Sequence, residues 1–273
     1  MKNKMKWCVL SFFFMLTFRA EVSALTLPET LEYDLTIADI KIGSLSLEAT
    51  DKGSYIQLVS KGSAAGWVSL FYNVDDNAVS LLAKRQMKEL PKSFEFLPYS
   101  AKVSINEGSN RARKEFAFNY AKKVVTYSDL LNHETGNFVL KDITFDALSA
   151  LYYLRYVPLN LGTSVSVKIF NNKLVYKVQL HILRRETLRT AFGAVNTLVI
   201  RTNMDCVGDG IIYYPGDITL WLTDDDRKIP VMIEKRLQAL IEGKLPTFIK
   251  NNMPDFLQKK LSAGAIRMVL VKK

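Results

Sequence analysis

The chain has 273 residues, 48% of them hydrophobic, a formal net charge of +10 at pH 7, two histidines and two cysteines. That apolar share is too high for a disordered chain, and two cysteines are too few for a disulfide-stapled scaffold. So few histidines and cysteines also argue against a zinc or iron centre, and no cofactor is expected.

Lys2, Lys4 and Lys6 precede a mainly apolar run from Trp7 to Phe18, and Val22-Ser23-Ala24 forms a small-residue exit. This is the pattern of a secretory signal peptide cleaved after Ala24. The run is shorter than the roughly 20 apolar residues that span a bilayer. Cleavage leaves 249 residues with a net charge of +7. The expected address is the periplasm, with a membrane-associated form as the alternative. The basic surplus suits an anionic membrane surface, and nucleic acid is not an expected partner there. Cys8 leaves with the signal, so Cys206 has no intramolecular disulfide partner and reads as a small buried apolar residue.

From residue 31 onward the rhythm is alternation with period two, the mark of half-buried strands. Leu31, Tyr33, Leu35 and Ile37 alternate with polar residues, and Leu45 and Leu47 follow Gly43. The segment from Ala64 to Tyr72 holds Trp67, Phe71 and Tyr72 behind small residues. It reads as a core strand entered by a tight turn, with the aromatic wall of an apolar pocket as the other reading. Tyr99 to Ile105 and Phe116 to Tyr120 are further strands around the turn Asn106-Glu107-Gly108-Ser109.

One clear helix interrupts this pattern over residues 145–156. Phe145, Leu148, Leu151 and Tyr152 recur at helical spacing, Thr144 or Asp146 can cap the start, and Pro158 lies beyond the end. Strands resume at 165–169, 176–182 and 218–222, with breaks at Asn171-Asn172 and Asp224-Asp225-Asp226. Strands with one polar face pair antiparallel. The expected fold is mainly β, a β-rich α+β domain over 25–273. Its curved antiparallel sheet is half-barrel-like, with one central helix against it and a C-terminal helical insert.

Several motifs stand in order: Asp146 to Arg155 with Pro158-Leu159 and Gly162, then Thr190-Ala191-Phe192-Gly193. Leu220 to Arg227 leads on to Ile229-Pro230-Val231, while Tyr33-Asp34 with Ile42-Gly43, and Leu90-Pro91, precede them. In order and spacing they resemble the secreted bacterial family called domain of unknown function 3108. The resemblance covers nearly the whole mature chain. It implies an exported, β-rich protein without an assigned reaction, similar in general shape to curved-sheet carriers of lipoproteins and lipids. The chain departs from the family at its end. Ile229–Leu237 and Ala265–Val271 look like a final strand pair, but Gln238–Gly264 lies between them and reads as a partly helical insert.

The candidate chemistry is sparse. Asp224, Asp225 and Asp226 read as a hairpin tip rather than a calcium loop, which needs more ligands at fixed offsets. His133 lies in a polar loop and His181 on the solvent side of its strand, neither with a second ligand at metal spacing. No nucleophile elbow is present, so no catalytic residue is expected. Asp146 and Arg155 complement the helix macrodipole, and the functional alternative has Arg155 holding an anionic group at a cavity mouth. Tyr152 and Tyr153 diverge by about 100° on the helix, so one of them meets solvent, ligand or partner. Trp221 faces opposite to Leu220 and Leu222. Trp67, Phe71, Tyr72, Tyr152, Tyr153, Arg155 and Trp221 therefore form the candidate ligand or partner surface. In the insert, Phe248, Ile249, Met253, Phe256, Leu257 and Leu261 stand among Lys244, Lys250, Lys259 and Lys260, a pattern for packing on the sheet or for lying at a membrane interface.

Two functions follow as expectations. One is a non-catalytic envelope protein holding a lipid or other amphiphile in the concavity of the sheet. The other is a structural or interaction module with an envelope protein partner and no small ligand.

Overall fold

The computed structural model describes residues 25–70, 72–84, 96–203, 218–236 and 265–273. Among these residues the chain forms β1 (Glu29–Ile37), β2 (Ile40–Asp51), β3 (Tyr55–Ala64), the helical turn α1 (Gly66–Ser69), β4 (Asp75–Lys84), β5 (Phe96–Glu107), β6 (Asn110–Asn119), β7 (Val124–Asp129) and β8 (Glu134–Val139). The helix α2 (Ala147–Tyr153) follows, then β9 (Ser164–Asn171), β10 (Leu174–Thr190), β11 (Gly193–Asn203), β12 (Ile218–Thr223), β13 (Pro230–Arg236) and β14 (Ala265–Lys272).

All fourteen strands belong to one antiparallel sheet in the order β8-β7-β6-β5-β4-β3-β2-β1-β14-β13-β12-β11-β10-β9. Two meanders, β1–β8 and β9–β14, are thus joined through the β1–β14 pair, in which Leu35 faces Met268. The alternation read from sequence is the cause of this arrangement. Leu31, Tyr33 and Ile37 of β1, Phe116 and Phe118 of β6, and Val178, Leu180 and Ile182 of β10 are the buried partners of polar neighbours.

The sheet is strongly curved and does not close edge to edge; it overlaps itself. Ile169 of β9 packs in one core cluster with Val167, Val178 and Leu198. Its neighbour Phe170 joins a different cluster with Phe116, Phe118, Val125 and Tyr127. Successive residues of a strand point to opposite faces, so β9 is covered on both sides, by α2 on one and by β6–β8 on the other. The Phe170 ring meets Phe116, Tyr127 and Phe138 at centroid distances of 5.6, 6.4 and 5.6 Å.

The helix expected over 145–156 is α2, and it lies against the concave side. Leu148 and Tyr152 pack among Leu31, Tyr33, Leu58 and Leu82, while Ala150 and Leu154 pack among the β9–β12 residues. A helix this apolar on two faces is an enclosed one. One expectation is corrected: Trp67 does not sit in a core strand. Gly66–Ser69 is a single helical turn, with Trp67 36% and Leu70 78% exposed. No helix of the described residues is long and apolar enough to cross a membrane.

Phe71, Leu90-Pro91, Phe94, Cys206, the leader 1–24 and the insert with Phe248, Ile249, Phe256, Leu257, Lys259 and Lys260 lie outside the described residues.

Candidate functional site

The polar groups that the fold gathers lie around the two ends of α2. At its start Asp146 is the N-cap. Its Oδ1 accepts from the backbone N–H of Leu148 and Ser149 at 3.0 and 3.1 Å, satisfying donors that a helix start leaves open. The same carboxylate accepts the Ser149 hydroxyl at 2.6 Å and the Ser80 hydroxyl of β4 at 2.5 Å. The cap is therefore also a tie between helix and sheet.

At its end Arg155 is only 1% exposed. Its guanidinium donates Nη1 and Nη2 to the two oxygens of Glu29 in β1, at 2.6 and 3.0 Å, and Nε to the Arg227 carbonyl at 2.8 Å. Planar bidentate pairing is the geometry in which Arg and carboxylate bind best. The cavity-mouth reading of Arg155 gives way to a structural one: just past the end of α2, the residue is an interior clasp to β1 and to the β12–β13 turn. Arg227 adds a second contact to Glu29 at 3.1 Å, and Lys228 donates to the Arg155 carbonyl at 3.1 Å. Burial lowers the Lys228 pKa below its usual value, although Asp226 and Asp225 oppose that shift.

The Asp run is the turn before β13. Asp225 accepts the Thr223 hydroxyl at 2.6 Å and the backbone N–H of Arg227 and Lys228 at 3.1 and 3.0 Å, while Asp224 pairs with Arg185 at 2.6 Å. Asp225 thus serves the turn backbone, as Asp side chains in turns do, and Asp224 ties the turn to β10. His181 shares a 2.8 Å hydrogen bond with Ser164, and His133 sits at positive φ in the β7–β8 turn.

The remaining candidates are dispersed. Tyr152 is 2% exposed, beside Arg155, whose guanidinium carbon lies 5.5 Å from its ring centroid. Burial pushes the Tyr152 phenol pKa well up, and Glu29 adds to the shift. Its hydroxyl has no hydrogen-bond partner among the described residues. Tyr153 turns the other way, half-buried, and stacks on Phe145 at 4.5 Å, so the two tyrosines do diverge. Tyr72 lies over Gly108 of the β5–β6 turn. Trp67 donates its indole N–H to the Lys41 carbonyl at 3.1 Å. Trp221 is 7% exposed on the face opposite Leu220 and Leu222, and its indole N–H is buried without a partner among the described residues. Thus Tyr152 and Arg155 come together, whereas Trp67, Tyr72 and Trp221 belong to separate places. Glu29 and Ser80 were not legible as partners: each is an isolated polar residue, 126 and 66 positions from the side chain it meets.

Against known proteins, a family model described as "Protein of unknown function (DUF3108)" matches residues 32–239. No curated protein matches the chain. The chain is similar to the crystal structure of a beta-barrel-like protein of domain of unknown function DUF1849 from Brucella abortus. The TM-score is 0.51 at 9% identity, over 90% of this chain and 96% of that one. At such identity the likeness is one of fold alone.

Proposed function

The chain belongs to the DUF3108 family of proteins of unknown function, and from that premise we propose that it is an exported, non-catalytic envelope protein whose curled sheet serves as an interaction module for a protein partner. The observation that carries this reading is the use made of the concave side. Apolar strands of a curved sheet need a cover, and here α2 supplies it, tied in place by Asp146 at one end and Arg155 at the other. Of the residues that carry the family pattern, Asp146 is engaged by Ser80 and Ser149, while Arg155 and Arg227 share Glu29. The positive surplus suits an acidic partner surface.

Cross-linking in the intact envelope tests the reading. A stoichiometric protein adduct, with no lipid in extracts of the gently purified protein, is the expected result. Copurifying lipid without any protein adduct would overturn it.

A second reading, an amphiphile held in the interior, is favoured by one observation: the buried hydroxyl of Tyr152, which has no partner among the described residues. A bound polar headgroup would satisfy it. In that case Tyr152→Phe lowers the amount of lipid recovered; under the interaction reading it does not.

A further inference from the structure

The sheet has two edges, and the fold treats them differently. β9 is covered. The Phe145 N–H donates to the Lys168 carbonyl at 2.9 Å, the Phe170 N–H donates to the Phe145 carbonyl at 2.8 Å, and β6–β8 overlie the Phe170 face. β8 has β7 on one side, and no described residue pairs with its other side.

The register says which groups are left open. Val124 faces Val139, and the Leu140 N–H donates to the Lys123 carbonyl at 2.9 Å, so the 140–123 pair is a hydrogen-bonded one. Antiparallel residues alternate between bonded and non-bonded pairs. Glu134, Gly136 and Phe138 therefore turn their amides and carbonyls to β7, and Thr135, Asn137 and Val139 turn theirs outward.

Exposed edges are normally blunted by proline, lysine, bulges or inward charges. Of these β8 has only Glu134, which shares the face of Phe138 and pairs with Lys173 of the β9–β10 turn; from Thr135 to Val139 its sequence, Thr-Gly-Asn-Phe-Val, holds no such device and its register with β7 is unbroken. At its far end Val139 is 68% exposed. Lys122, Lys123 and Lys141, all exposed, surround that end and enter no ion pair among the described residues.

We propose that the free edge of β8 accepts an extended segment of an envelope protein as an added antiparallel strand, with carboxylates just ahead of the paired stretch. This rests on the interaction reading and names its surface. Edge addition supplies affinity through main-chain hydrogen bonds. Because β8 runs toward Val139, an antiparallel strand enters beside the three lysines, where acidic residues preceding it find complementary charge.

The test is hydrogen exchange at residue resolution on the exported protein. The probes are a synthetic peptide of three glutamates followed by alternating threonine and valine, and the same peptide led by three lysines. With the glutamate-led peptide, the amides of Thr135, Asn137 and Val139 should slow by about tenfold or more, and those of Gly136 and Phe138 should not change. The lysine-led peptide should protect less. Asn137→Pro removes only an outward donor, which an edge strand tolerates, and should abolish the protection. Should that variant lose stability, the triple reversal Lys122→Glu, Lys123→Glu and Lys141→Glu carries the test, since it should invert the preference between the peptides. Exchange unaffected by either peptide would overturn the proposal. So would protection that grows with protein concentration alone, which means a second copy occupies the edge. If the edge stays open while envelope cross-linking still gives a stoichiometric partner, this inference falls and the interaction reading stands.

Discussion

Glu29 and Arg155 illustrate what single residues do in this molecule. Removing one partner of a buried ion pair leaves an uncompensated charge, which costs about 3–5 kcal/mol. Glu29→Gln should therefore lower the urea midpoint sharply, while Glu29→Leu with Arg155→Met should recover most of the loss. Tyr152→Phe should behave oppositely: an unbonded buried hydroxyl is unfavourable, so its removal should leave stability equal or higher by up to about 1 kcal/mol. Asp129 and Tyr127 give a pH signature. Burial works against the Asp129 carboxylate, but hydrogen bonds from Asn132 and Leu131 and the Lys114 charge outweigh it and hold its pKa below the ordinary 3.8. Its contribution is present above that value and is lost as pH falls through the folded pKa. The Tyr127 phenol is pushed up to about 12 by burial and by the nearby Asp129 and Glu134. Folding keeps its proton, so this stabilisation is complete below pH 10 and fades as pH rises toward 12. Thermal melts of wild type, Asp129→Asn and Tyr127→Phe between pH 2 and 12 check both signs: each variant should lack its own slope.

Among the elements, α2 and the β5–β6 hairpin are the most exposed to single changes. Asp146→Ala would strip a cap and orphan the buried Ser80 hydroxyl, while Ser149 keeps the Asp146 backbone carbonyl as acceptor, a loss of about 2 kcal/mol, whereas Asp146→Asn keeps an acceptor and should cost less. Equilibrium denaturation distinguishes them. Gly108 holds φ at +53° and a Cβ there would come within 2.3 Å of the Tyr72 ring. Gly108→Ala should destabilise by about 1–2 kcal/mol from backbone strain, with a further cost for moving the ring. The helix and this turn could both be read from local pattern, because capping, period and turn chemistry act over a few residues. α1 could not. Its aromatic run mimics a strand, and its place is set by β2, distant in sequence, where Trp67 bonds to the Lys41 carbonyl and Ala65 to that of Ile42.

At the scale of the whole molecule, the insert leaves and re-enters the sheet at one rung, since Arg236 faces Ala265. Replacing residues 237–264 by a two-residue Asn-Gly turn should therefore leave an ordinary hairpin. Unchanged far-ultraviolet circular dichroism, with a melting point within about 10 °C of wild type, is the expected outcome. A larger fall would mean that several kcal/mol of burial belong to the insert.

Period-two alternation, a single capped helix and ordered motifs were enough, from sequence alone, to establish a curved antiparallel β domain of this family, because side-chain alternation is a local consequence of the pleat. They could not say which strands sit at the edges, that β6–β8 fold over the outer face of β9, or that Arg155 reaches Glu29 rather than a ligand. Those choices depend on contacts between residues distant in sequence, from Phe138 with Phe170 to Arg155 with Glu29, and no local pattern encodes the partner of an isolated charge. Curvature brought Phe170 under Phe116 and left the outer side of β8 unpaired among the described residues, and so the surface on which function is proposed was decided by tertiary structure.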